Sequence, residues 1–224
     1  LIEFEDVGHS YDERTVLDGV NLRLDEQRVA FVGANGSGKS TLARMINGLV
    51  HPTSGRVLVD GVDPARNGRA VRRRVGFVFT HPDSQIVMPT AGEDVAFSLR
   101  KQGLSKAERQ RRAAEVLAQH GLAGYAEHPA HQLSGGQKQL LALCSMLVLD
   151  PDVLVCDEPT TLLDLRNKRH FTEVLAGLRQ QVVLVTHDLD LLEDFDRVVV
   201  LEAGKVVADD EPAPAVRYYR ELIG

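Results

Sequence analysis

Gly33-Ala34-Asn35-Gly36-Ser37-Gly38-Lys39-Ser40-Thr41 follows the apolar run Val29-Ala30-Phe31-Val32 and leads into residues of helical spacing that reach Asn47 before Gly48. The spacing Gly-x-x-x-x-Gly-Lys-Ser is the phosphate-cradling P-loop pattern. Its glycines let successive backbone N–H groups turn inward, and the helix that follows adds the partial positive charge of its N-terminus. Lys39 supplies a mobile ammonium for the β- and γ-phosphates, and the Ser40 hydroxyl is placed to ligate Mg²⁺.

Leu1 to Leu24 reads as short alternating strands broken at Gly8 and at Asp18-Gly19, which predicts antiparallel ribbons. Short strands are expected over Arg56 to Val59 and Val75 to Phe79. Ser105, with Glu108 three residues later, has the form of a capping box opening a helix that stops at Gly121. Residues near 84–150 read as mostly helical. Val153 to Cys156 and Val182 to Thr186 are apolar strands that each follow a helical stretch, so the alternation predicts a parallel sheet with helices packed on it. A final ribbon joins Arg197 to Leu201 with Lys205 to Ala208. The expected fold is therefore α/β: a P-loop nucleotide-hydrolase core of mainly parallel sheet, an N-terminal antiparallel β subdomain, and an inserted helical subdomain at approximately 84–150, all within one domain over 1–224.

Val153-Leu154-Val155-Cys156-Asp157-Glu158-Pro159 ends a buried strand in two carboxylates, at the sheet edge where open α/β folds bind ligands. Asp157 is suited to anchor Mg²⁺ and Glu158 to polarise an attacking water as general base. An apolar strand ending in Asp-Glu says little alone; partnered with the loop at Gly33 it says much more.

Leu133-Ser134-Gly135-Gly136-Gln137 is a second nucleotide motif, with glycines for close backbone approach, a serine hydroxyl, and a helix N-terminus to face an anion. With this pentapeptide the chain resembles the ABC (ATP-binding cassette) ATPase family over almost its whole length. The resemblance implies that Ser134, Gly135, Gly136 and Gln137 close on the γ-phosphate held by another subunit, giving a head-to-tail dimer, homomeric or with another ABC ATPase, around two ATPs. It also implies that Tyr11 stacks on adenine, that Asp164 lies in a loop crossing to the partner, and that His187 contacts the γ-phosphate.

Thr80 departs from that pattern, because the family usually has glutamine there, helping to hold Mg²⁺ and water. A threonine hydroxyl has shorter reach than an amide, so reshaped Mg²⁺ coordination is expected, with a substituting water as the bland alternative. Gln85 aligns with a second glutamine of certain importers. The stretch Pro82-Asp83-x-Gln85 with Pro89-Thr90-Ala91-Gly92-Glu93-Asp94-Val95-Ala96-Phe97 is similar to the ATPases of energy-coupling-factor importers, which take up vitamins and transition-metal ions. The resemblance places Glu93 and Asp94 beside the groove for a transmembrane coupling subunit, with a substrate-binding membrane subunit beyond it and no solute touching this chain. Only Asp209 to Gly224 follow the last ribbon, which leaves no room within this chain for a large extra dimer domain. That compact form is similar to the ATPase of biotin importers.

Bulk composition limits other functions. A net charge of −6 and a pI near 5.8 argue against a general nucleic-acid binder, which needs a basic face. Arg72-Arg73-Arg74 reads as a solvated face, and His128-x-x-His131 lacks cysteine or carboxylate partners at metal-ligand spacing. Cys144 and Cys156 sit in apolar runs as small core residues, suited to a reducing cytoplasm. The longest apolar run, Leu140 to Leu149, falls well short of the ~18–20 residues that span a bilayer. A soluble subunit peripheral to the cytoplasmic face of the membrane is expected, with a start that was trimmed, since residue 1 is Leu. A soluble ABC ATPase of DNA repair or translation and a P-loop small-molecule kinase stay as alternatives. The first usually carries long coiled-coil insertions or tandem cassettes, and the second an acceptor pocket with a lid.

Overall fold

The computed structural model describes residues 1–224. Two sheets organise it. The smaller is antiparallel, in the order β2 (Arg14–Leu24), β1 (Ile2–Tyr11), β4 (Ser54–Val59). The larger has six strands, in the order β5 (Val75–Val78), β6 (Val153–Asp157), β7 (Gln181–Val185), β3 (Arg28–Val32), β8 (Arg197–Glu202), β9 (Lys205–Asp210). All its pairings are parallel except that of β8 with β9.

The parallel strands read as unbroken apolar runs because both of their faces are covered. Val29 and Phe31 of β3 join Val153 and Val155 of β6 in one core, shared with Phe4 and Leu24 of the small sheet and with Leu42 and Ile46 of α1 (Lys39–Ile46). The intervening residues, Ala30, Val32, Leu154 and Cys156, point the other way into a second core. That core is built with α4 (Lys106–Gln119), α5 (Gly135–Leu147) and α6 (Leu165–Ala176), through Val116, Leu141 and Phe171. Fully burying each such Leu, Val or Phe contributes about 1.5–3 kcal/mol, so both faces hold the central strands in place. α3 (Ala91–Ser98) packs against α4 and α5. No helix is long and apolar enough to cross a membrane.

This strand order has a chemical consequence. β5, β6, β7 and β3 are neighbours and parallel, so the residues after them emerge along one edge: Thr80 beyond β5, Glu158 beyond β6, His187 beyond β7 and Gly33 beyond β3.

Several expectations change. β1 runs through Gly8 and β2 through Asp18-Gly19; the anticipated breaks are register shifts between Phe4 and Val7, Val7 and His9, and His9 and Ser10, which bend the ribbon without ending it. Ser105 does cap α4, accepting from the Glu108 N–H, but the Glu108 carboxylate turns to Arg111 and Arg112 instead of reaching back. Helices α2 (Pro64–Val71) and α7 (Pro212–Ile223) were not anticipated. Both begin at proline, which marks a turn as readily as it opens a helix.

Candidate active site

The loop after β3 is tight because two of its glycines have no room for a side chain. Gly33 has φ 149°, and a Cβ there would lie 2.1 Å from the Leu201 carbonyl oxygen. Gly38, with φ 103°, is the N-cap of α1, where a Cβ would meet the Val16 carbonyl at 2.8 Å. Neither position admits a side chain. Lys39 is folded back over the loop, its Nζ donating to the carbonyls of Gly33 at 2.7 Å and Ala34 at 2.8 Å. Burial pulls its ammonium below the ordinary lysine value, against the opposing pull of Glu158, Asp157 and Glu202. Ser37 is buried in the loop and its Oγ has no hydrogen-bond partner, so the loop holds an unspent hydroxyl.

Asp157 is 1% exposed and fully engaged. Its Oδ1 accepts from Ser40 Oγ at 2.6 Å and its Oδ2 pairs with Arg44 Nη2 at 2.9 Å. The Ser40–Asp157 pair offers hard oxygen donors, which is the donor chemistry Mg²⁺ takes together with substrate phosphates. The residues present therefore fit that ion.

Glu158 follows at φ 51°, a left-handed conformation that costs a non-glycine residue about 1–3 kcal/mol. The turn is held by its N–H, which donates to the Val185 carbonyl at 2.9 Å. Its Oε2 lies 2.7 Å from His187 Nδ1 and accepts from Thr161 Oγ1 at 3.1 Å. Thr80 Oγ1 donates to the Asp157 carbonyl at 2.7 Å, so its proton is committed to tying β5 to β6 while its lone pairs stay free.

Tyr11, Arg14, Asn35, Lys39, Ser40 and Glu158 line one cavity of 870 Å³, together with Gly36, Gly38 and Thr41. Tyr11 is half exposed, and the buried His9 ring meets it edge-on at 4.5 Å. Arg14 was missed in the sequence; as a basic residue at the start of β2 it carries no local signal. A smaller adjoining chamber holds Thr80, Glu158 and His187, and adds Tyr219 from α7.

Ser134 and Gln137 line neither space. They form a reciprocal capping box at the start of α5, the Ser134 N–H donating to Gln137 Oε1 at 2.9 Å and the Gln137 N–H to Ser134 Oγ at 3.3 Å. Gly135 faces open space, whereas a Cβ on Gly136 would strike Asn167 at 2.4 Å. Asn167 belongs to the first turn of α6, whose N-cap is Asp164. Leu162 and Leu165, on either side of Asp164, are exposed.

Helix α5 is also stitched to the segment after β5. Gln139 donates to the Phe79 carbonyl at 3.0 Å, Gln85 to the Phe77 and Ala142 carbonyls, and Lys138 pairs with Asp83 at 2.7 Å. Asp94 departs from expectation here. It is 4% exposed, and its carboxylate accepts from the N–H groups of Val87 and Met88 and from Ser145 Oγ, so it is not free to meet a partner's arginines. Only Glu93 of that pair faces outward.

Residues 17–161 match the family described as ABC transporter. The chain belongs to the ABC transporter family. An ABC transporter ATP-binding protein of Deinococcus radiodurans is 53% identical over 221 residues, covering 99% of this chain and 98% of that protein. The biotin transport ATP-binding protein BioM of Rhizobium etli is 44% identical over the same shares of both chains. Among solved structures, cbiO1 from Clostridium perfringens, part of the ABC transporter complex cbiONQ, superimposes with a TM-score of 0.86 at 31% identity, covering 99% of this chain and 92% of that one. This ABC subunit is thus an ATP-binding ATPase with the α/β P-loop fold.

Proposed function

We propose that this ABC ATPase drives an importer of the energy-coupling-factor type for a vitamin or a transition-metal ion, with biotin the first solute to test. The similarity to a biotin transport subunit and to a cbiONQ component supports the type. In this reading it sits at the cytoplasmic face of the membrane beside a coupling subunit and a substrate-binding subunit, and two ATPases work head to tail.

The observation that carries the reading is the separation of Ser134 from both cavities around Lys39, while Glu158 and His187 meet beside that lysine. Each chain then supplies a phosphate loop to one site and a signature helix to the other. Tyr11 stacks on adenine, and Arg14 lies where it can pair with phosphate. Lys39 exchanges the Gly33 and Ala34 carbonyls for the β- and γ-phosphates, and the Ser37 hydroxyl gains its partner. Ser40 and Asp157 would hold Mg²⁺, which supplies charge neutralisation at the phosphates. Glu158 accepts the proton of the attacking water, and His187 and Thr161 fix the direction of its carboxylate. Asp164, flanked by Leu162 and Leu165, faces the second subunit. The helical segment at approximately 84–150 carries the signature and receives the coupling subunit.

Coexpression with candidate coupling and substrate-binding subunits tests the import reading. A membrane complex whose ATPase rises on assembly, and falls with Lys39→Ala, is the expected result. A chain that stays unassociated and turns over ATP at its full rate alone would contradict it.

A further inference from the structure

The chamber beside the phosphate loop is closed on one side by a residue from outside the nucleotide-binding strands. Ala34, Asn35, Thr80, Glu158 and His187 face it from the strand ends, and Tyr219 faces it from α7, near the C-terminal end of the chain. Tyr219 is 6% exposed and packs in the core shared with Val198, Val200 and Ala215, so the body of the ring is fixed by apolar neighbours. Its hydroxyl makes no hydrogen bond to another residue, yet it is not among the sealed side-chain atoms and keeps access to the chamber.

The apolar contacts of the ring account for its packing, so the hydroxyl at the chamber wall is a polar group that packing does not use. Burial, and then the nearby Glu202 and Glu158 carboxylates, raise its pKa above the usual tyrosine value. At neutral pH it is therefore an O–H donor, in a chamber where His187 and Thr161 are engaged with Glu158 itself and Thr80 with the Asp157 carbonyl.

We propose that Tyr219 is a positioning residue of the hydrolytic centre, its hydroxyl donating a hydrogen bond into the chamber and ordering the water that Glu158 holds. The inference rests on the hydrolytic reading of Glu158 given above. It makes α7 part of the ATPase site, so that the helix closing the chain also sets the turnover rate.

Tyr219→Phe keeps the ring and removes only the donor. Its expected effect is a fall in kcat of about threefold to tenfold, the range one neutral hydrogen bond carries, with KM for ATP and the thermal midpoint unchanged. A second measurement separates positioning from packing. Fluorescent-ATP binding, and the ATP-trapped dimer of a Glu158→Gln protein, should persist when Tyr219→Phe is added. An unchanged kcat overturns the proposal, as does loss of nucleotide binding or of the trapped dimer. Glu158→Gln alone is the control: if it still turns over, the hydrolytic reading itself fails whatever Tyr219 does.

Discussion

His187 Nδ1 lies 2.7 Å from Glu158 Oε2, joining the loop after β7 to the strained residue after β6. Because Thr161 holds the same oxygen, the carboxylate is aimed before any nucleotide arrives. Glu158→Gln keeps the shape and removes the proton acceptor. ATP binding should persist while turnover falls by at least about 100-fold, the lower end of general-base contributions. The protein should then run as an ATP-dependent dimer in size-exclusion chromatography; a monomer with full activity would refute this assignment.

Asp94 satisfies two backbone donors and the Ser145 hydroxyl from a buried position. Asp94→Ala leaves those donors unpaired and should lower unfolding stability by about 3 kcal/mol, read from urea denaturation. Glu93→Ala, which loses only an exposed contact with the N-cap Thr90, should lower stability by no more than about 1 kcal/mol and act mainly on association with the membrane subunits. Equal stability losses in the two variants would sink the distinction.

Thr80 donates to the Asp157 carbonyl, at the ion-binding edge but without the reach of an amide. Thr80→Gln should lower the Mg²⁺ concentration needed for half-maximal ATPase activity while leaving the maximum within about threefold, since one added ligand contact is worth roughly a hydrogen bond. Superimposable Mg²⁺ titrations for the two proteins would show that a water already fills the role.

The parts legible in the sequence were those whose chemistry forces a local pattern. Gly33 and Gly38 have no room for a Cβ, the strands before Gly33 and Asp157 are buried on both faces, and Ser134 to Gln137 stands at the entry to a helix. What escaped depends on distant partners. Arg14 and Tyr219 reach the site from the first ribbon and from the last helix, and nothing in their neighbourhoods marks them. Asp94 looked like a surface acid at a helix start. Its burial comes from Ser145, fifty-one residues away, and from the backbone of the preceding loop. α7 was hidden by Pro212 and Pro214, which a helix tolerates only in its first turn.

The central claim is that each ATP site is shared between two chains. Mixing Lys39→Ala with Ser134→Arg tests it most directly. Each variant alone spoils every site of its own homodimer, whereas a mixed dimer has one site with neither substitution. ATPase activity of the equimolar mixture should rise well above that of either variant, to about a quarter of wild type if the chains associate at random and the sites act independently. A mixture no more active than its components would contradict the shared site and favour one completed within a single chain.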